Sequence, residues 1–359
     1  MATITTVTGD LDPSKLGPTS VHEHVLHDLT FYHHALFEYP LEPSQAALAE
    51  AKLTIDKLAV SKRNQFLIKD ALRLDEEDVA VSELRDFKAR GGDCIVDVTV
   101  PGMGRDVEAL RRIAEKAEIN LVAATGWYVS ISHPAYVKEK SADELAAIMV
   151  AELTEGIRST DIRAGVIKCA VGGVTGDPRA PLADYAMHPD EEKVLRAGAR
   201  AQKATNTAVT LHPCIFRRDC HAYVDVLEEE GADLDKFWMS HMSATYPELD
   251  VDYCRSLMDR GVSISFDNFG YEKYSQITGG TNIPDKDRVN ALVELCRAGY
   301  DGRIMLAQDN GQKDRLKAYG GDGYSHVLQN IVPQLHRRGV TEAQVRNMLV
   351  ENPRRMLAR

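Results

Sequence analysis

Six residues in this chain carry side chains suited to metal binding and acid–base chemistry: His22, His24, Lys168, His212, His241 and Asp309. Each lies at or near the end of a short apolar run, Lys168 inside one. His22 and His24 are two positions apart. On a β-strand such residues point to the same side, so both imidazoles reach one metal ion and Glu23 is directed away. His212 and His241 end neighbouring runs and suit a second ion. Asp309 adds a carboxylate. This nitrogen and oxygen set fits zinc best, with cobalt, manganese or iron as alternatives.

Lys168 is the unusual member. It sits alone in the apolar stretch Val166-Ile167-Lys168-Cys169-Ala170. A protonated lysine beside metal ions is electrostatically unfavourable. An amine that captures carbon dioxide becomes a carbamate, whose two oxygens can bridge two cations. The alternative is a buried lysine paired with a carboxylate such as Asp309. Two divalent ions about 3.5–4 Å apart would hold a bridging hydroxide and polarise a substrate carbonyl or phosphoryl oxygen. Asp309 then serves as general base. Lys168 and Asp309 are therefore the expected catalytic groups.

For residues so distant in sequence to meet, the fold must gather strand ends on one face. Eight apolar runs are present: Thr19–His24, Cys94–Thr99, Leu121–Gly126, Gly165–Val171, Thr207–His212, Phe237–His241, Val262–Asp267 and Arg303–Asp309. Their near-continuous hydrophobicity marks buried parallel strands. Helical patterns separate them at Val107–Ala117, Ala142–Ile157, Glu191–Ala204, Cys220–Glu230, Tyr253–Arg260 and Asp287–Ala298. Eight βα units predict a single (β/α)₈ (TIM) barrel over residues 1–359, with its site at the C-terminal strand ends. A doubly wound open sheet would place a glycine-rich phosphate loop after the first strand. Here that strand ends in His22-Glu23-His24. Residues Ile4–Lys15, with Gly9-Asp10 as a turn, predict a short hairpin before it. Leu41–Asp86 predicts a helical insertion after strand one, followed by the first barrel helix. The final helices are expected near Ser325–Arg338 and Thr341–Leu349, with Asn352-Pro353 closing the pattern.

The composition agrees with this class. Hydrophobic residues make up 44% of 359, enough for a large core, and the net charge of −11 argues against nucleic-acid binding. No apolar run reaches the roughly 18 residues a membrane span needs, and no secretory leader is evident, so a cytoplasmic location is expected. The six cysteines form no paired motif and read as free thiols.

The chain resembles the phosphotriesterase family of the amidohydrolase superfamily, and within it the phosphotriesterase-like lactonases. The resemblance rests on Val21-His22-Glu23-His24, Pro101-Gly102-Met103-Gly104-Arg105-Asp106, Ala164–Lys168, Ser240-His241 and Ile304–Asp309. Gly320–His326 and Asn352–Leu357 add to it. It implies that His22, His24 and Asp309 bind the more buried metal and that His212 and His241 bind the more exposed one. Lys168 as a carbamate and a hydroxide would bridge them. It further implies a small-molecule substrate, a homodimer, and a substrate contact from Tyr128. Departures from relatives occur at Met242-Ser243-Ala244-Thr245, at Asn268 and at Gln308. They spare the ligands but not the substrate assignment.

The leading expectation is therefore hydrolysis of a lactone or related carboxylic ester. Arg217, Arg218 and Lys313, which follow strands five and eight, raise the expectation of an anionic substrate. Hydrolysis of a phosphotriester or amide is the second reading, and a non-catalytic binding protein stabilised by metal is the third. His27, His33 and His34 are expected on a loop or rim, and His326 to pack or cap a helix. Arg105 is open between a structural and a pocket role.

Overall fold

The computed structural model describes residues 2–37, 41–172, 186–244, 248–275 and 280–359. Eight parallel strands form one sheet in chain order: β1 (Thr19–Glu23), β2 (Cys94–Asp97), β3 (Asn120–Gly126), β4 (Val166–Ala170), β5 (Val209–His212), β6 (Phe237–Met239), β7 (Ser263–Phe266) and β8 (Ile304–Leu306). All eight lie within one residue of the runs expected from sequence or inside them. The sheet curls until β8 meets β1. That seam carries no regular ladder. It is joined by the Asp309 N–H, which donates to the His22 carbonyl at 3.1 Å.

Alternation along the strands explains both the packing and the site. Ile95, Leu121, Ala123, Ile167, Leu211, Phe237, Met239, Ile264 and Leu306 face outward against the helices. Val96, Val98, Val122, Ala124, Val166, Trp238, Met305 and Ala307 fill the barrel interior. Period-two alternation then puts Lys168 on the inner face with Val166, and His212 on it with Thr210. Asp309 follows Met305 and Ala307 in the same parity. The interior is thus apolar below and polar towards the C-terminal strand ends. Ile4 and Leu16 from the N-terminal segment, with Met356 and Leu357, belong to this inner cluster.

The helices start where capping chemistry dictates. The Asp106 carboxylate accepts from the Ala109 N–H at the start of Val107–Ala117. Ser141 and Glu144 form a reciprocal capping box on Ala142–Thr154. Gly126 has a φ of 111°, and a Cβ there would come within 2.0 Å of the Lys168 carbonyl oxygen. The close approach of β3 to β4 beside Lys168 therefore requires glycine.

Three local expectations are corrected. Gly9 and Asp10 are not the hairpin turn. They lie in its second strand, with Thr6 opposite Gly9, so Val7 and Thr8 make the turn. The helical insertion begins at Thr30–Leu36, ahead of Leu41, and continues through Pro43–Ala49 and Leu58–Arg63 before the barrel helix Glu77–Ala89. Asn352-Pro353 does not end the pattern: it opens a further helix, Asn352–Leu357, whose first turn tolerates a proline.

Candidate metal centre and pocket

The structure brings His22, His24, Lys168 and Asp309 into contact and sets the His241 and His212 rings beside them. The Lys168 amine lies 3.3 Å from His22 Nε2. Asp309 Oδ1 lies 3.7 Å from His22 Nε2 and 3.5 Å from His24 Nε2. The His22 and His241 rings are 4.6 Å apart, and His212 and His241 4.4 Å. Among the described residues, two groups have the spacing to hold an ion: His22, His24 and Asp309, and His22, His241 and Asp267.

The inner imidazole nitrogens face the centre because their partners take the outer ones. His24 Nδ1 contacts Thr99 Oγ1 at 2.8 Å. His22 Nδ1 is 3.0 Å from Ser240 Oγ and 3.2 Å from Asp267 Oδ2. His241 Nδ1 is 3.0 Å from Asp267 Oδ1. A ring that donates through Nδ1 offers the Nε2 lone pair inward, which is the tautomer a metal requires. The donor set and its tautomers therefore fit divalent ions. Asp267 also accepts from the His241 backbone N–H at 2.9 Å.

His241 and Asp309 share a further feature. Both have left-handed backbones, with φ of 59° and 54°. Such conformations are uncommon for residues other than glycine and persist where surrounding contacts hold them.

Burial sets the electrostatics. It pushes His22 down to about 3 and His212 well below its ordinary value, so both stay neutral and able to bind metal at neutral pH. It lowers Lys168 to about 8, against the pull of Asp309 and Asp267. Burial alone would raise Asp309, but contact with His24 and the nearby imidazoles of His22 and His241 hold its carboxyl well below the usual range. Burial would likewise lower His241, yet Asp267 lifts it above the ordinary value.

A pH dependence follows. His27, stacked at 4.8 Å on His24, is also pushed down to about 3 by burial. Below an unfolded pKa near 6.5, the unfolded chain takes up protons that folded His22 and His27 refuse. Stability is thus full above that value and falls as pH drops towards 3. Each histidine contributes a slope of about 1.4 kcal/mol per pH unit within that window. Urea unfolding of chelated protein between pH 6.5 and 5 is expected to show this slope, and His27→Phe to remove one such increment. An unchanged slope would place the His27 pKa near its ordinary value.

The pocket above this centre has a volume of about 1330 Å³ counted to its open mouth. Tyr32 and Phe66 of the insertion, Tyr128, Phe216 and Tyr271 supply an aromatic wall. Tyr128 lines this cavity: its ring lies 4.9 Å from His212, and its hydroxyl is 3.1 Å from that of Tyr32.

The three basic residues expected at the pocket do not line it. The Lys313 amine turns beneath the insertion, 2.8 Å from Glu76 and 3.2 Å from Asp70, with its side chain 3% exposed. Arg217 pairs with Asp219 at 2.6 Å and Arg218 with Asp250 at 2.7 Å. Their neighbours Ile215 and Phe216 face the cavity instead. Arg105 is structural: it grips Glu152 with two bonds, of 2.7 and 2.6 Å, and the Ala124 carbonyl with a third. His326 bonds Asp285 at 2.7 Å. Sequence reading missed Asp267, although an acidic residue closing strand seven was a visible signal. It also missed Tyr32 and Phe66, whose approach to the site depends on how the insertion folds back.

A near-closed parallel barrel with imidazoles, a lysine and a carboxylate converging at its C-terminal strand ends defines a barrel enzyme. Residues 2–357 match the model of the phosphotriesterase family, and the chain belongs to that family of hydrolases. An N-acetyltaurine hydrolase of Bos taurus is 34% identical over 357 residues, covering 99% of this chain and 97% of its own. A resiniferatoxin-binding protein from Rhodobacter sphaeroides is 34% identical with a TM-score of 0.89, over 99% of this chain and 94% of its own. A phosphotriesterase-like lactonase from Deinococcus radiodurans, solved as a mutant, is 28% identical with a TM-score of 0.74, over 99% of both chains. Among the described residues, no helix is long and apolar enough to cross a membrane.

Proposed function

We propose that this protein is a binuclear, zinc-dependent amide hydrolase acting on a small N-acylated amine. The amide is favoured over the lactone by one observation. Relatives a third identical along nearly all of both chains are N-acetyltaurine hydrolases, whereas the lactonase neighbours are less similar in sequence, at 28%.

His22, His24 and Asp309 would hold one ion and His212 and His241 the other, with Lys168 as a carbamate between them. A lysine brought down to about 8 by burial has an accessible neutral amine, the form that adds to carbon dioxide. Divalent ions held by these residues would supply acidity to a water molecule and polarisation of the scissile carbonyl. The protein does the rest. Asp309, whose side chain is 23% exposed, joins the ligand cluster to the cavity. It accepts the proton of the attacking water and returns it to the leaving nitrogen. Tyr128, beside His212, orients the acyl group. The aromatic wall excludes water around it.

A second reading, lactone or ester hydrolysis, is supported by the lactonase neighbours and the position of Tyr128. The same site performs it without needing to protonate an amine.

The test is kcat/KM of zinc-loaded protein on N-acetyltaurine, other N-acetylated amino acids, simple lactones and a phosphotriester. One of the amides is expected to lead by at least about tenfold, a difference of about 1.4 kcal/mol in transition-state binding. Chelation is expected to abolish turnover, and zinc to restore it. A lactone that leads by the same margin would replace the amide reading with the second one.

A further inference from the structure

Glu23, between the two histidines of the first strand, was expected simply to point away from them. It is fully buried and does something more specific. Its Oε1 accepts from Ser20 Oγ at 2.6 Å, from the Gln308 backbone N–H at 2.8 Å and from Gln308 Nε2 at 2.8 Å. Its Oε2 accepts from the Asn310 backbone N–H at 2.8 Å. The two peptide groups it engages flank Asp309, the residue with the left-handed backbone. Between them, the Asp309 N–H is taken by the His22 carbonyl. Three consecutive N–H groups of the last strand's exit are thus fixed by two consecutive residues of the first.

From this geometry we infer that Glu23 is a positioning residue: it clamps the peptides on either side of Asp309 and so holds that carboxylate in its strained, inward-facing conformation. The physical case is direct. A left-handed aspartate is disfavoured against an extended one, so something must hold it. Four donors converge on the buried Glu23 carboxyl, and removing that acceptor would leave the backbone N–H groups of Gln308 and Asn310 buried and unpaired. Neither oxygen of Glu23 faces the cavity, so it has no part in bond making. Gln308 and Asn310 are each only 1% exposed, so water cannot substitute as acceptor. The β1–β2 pairing is irregular between Ser20 and Glu23, and such a bulge re-aims side chains near a site. Tyr324 adds to the frame, donating from its hydroxyl to the His24 carbonyl at 2.7 Å, while its own carbonyl accepts from Gln308 Nε2.

The inference rests on the metal-hydrolase reading for its functional consequence, but one arm of its test does not. Hydrogen exchange read by mass spectrometry on metal-free full-length protein reports the clamp itself. In Glu23→Gln the amide group presents a donor to one of the two flanking N–H groups, so a peptide spanning 306–311 is expected to exchange at least about tenfold faster. Peptides covering β4 and β5 should be unchanged. Glu23→Asp, whose shorter side chain reaches fewer of these donors, should fall between, and it keeps the test available if Glu23→Gln fails to fold. On the zinc-loaded enzyme, Glu23→Gln should lower kcat and leave KM within about twofold, with zinc affinity weakened about 10–100-fold by chelator competition. Combined with Asp309→Asn, it should add little further loss, because both changes act through one group. Exchange that is no faster at 306–311, or losses that multiply in the double variant, would overturn the clamp. Faster exchange in a protein that binds no zinc would keep the clamp and sink the function proposed above.

Discussion

Asp309→Asn is expected to lower kcat by about 10³-fold under saturating zinc, with little change in fold. The general-base contribution alone is worth about 10²–10⁴-fold. The substitution is a clean probe for three reasons. Asparagine has nearly the same volume. It tolerates the left-handed backbone that Asp309 adopts as readily as aspartate does. The clamp on the neighbouring peptides does not involve the Asp309 side chain. What changes is charge. Asparagine offers one neutral acceptor oxygen and a donor that faces the same imidazoles, so it neither takes up a proton nor neutralises a cation. Stopped assays over a pH series provide the check. The variant should lose the acidic limb of the rate profile along with its rate. A variant that keeps wild-type kcat would assign proton transfer to another group and leave Asp309 as a ligand only.

Asp267→Ala should have the largest effect on the protein as a whole. Asp267 is fully buried and accepts from the His241 N–H, both imidazole Nδ1 atoms of His22 and His241, and Ser265 Oγ at 2.6 Å. Its removal strands these donors with no water to replace the carboxylate. Breaking a buried charged network in this way costs about 3–5 kcal/mol. It also frees two ligands to rotate or change tautomer, for a loss of about 10–100-fold in metal affinity. Urea unfolding with and without zinc separates the two terms. The chelated variant should show the stability loss, and the gap between the two forms should shrink from weaker binding. Asp267→Asn, which keeps one acceptor, should recover part of both. A wild-type urea midpoint for Asp267→Ala would mean that the network contributes nothing to stability.

The fold was legible because its signal is repetitive. Short apolar runs recur with amphipathic stretches between them, and each run was found as a strand. The candidate ligands were legible because they sit at the ends of those runs. What sequence did not show was the inward or outward sense of each strand residue. Runs buried on both faces hide their period, so nothing in the sequence showed that the barrel sets Ser240 against His22, Thr210 against Ser240 and Ser265 against Asp267. Charge misled in the loops. Lys313 looked available because Asp70 and Glu76 are remote in sequence, and the insertion that brings them to it cannot be placed from periodicity. Glu23 was read by strand alternation alone, which cannot see that a barrel has a seam.

The placement of ligands at that seam has a consequence for biosynthesis. His22 and His24 leave the ribosome with the first strand, while Asp309 follows the last. A chain that stops short of the eighth strand would hold the four candidate histidines and Lys168 but lack the one carboxylate of the set. Only when the final strand docks do Glu23 and the backbone on either side of Asp309 meet. On the function proposed above, full metal affinity would then await completion of the barrel, and a product truncated before the eighth strand would hold its ions less tightly.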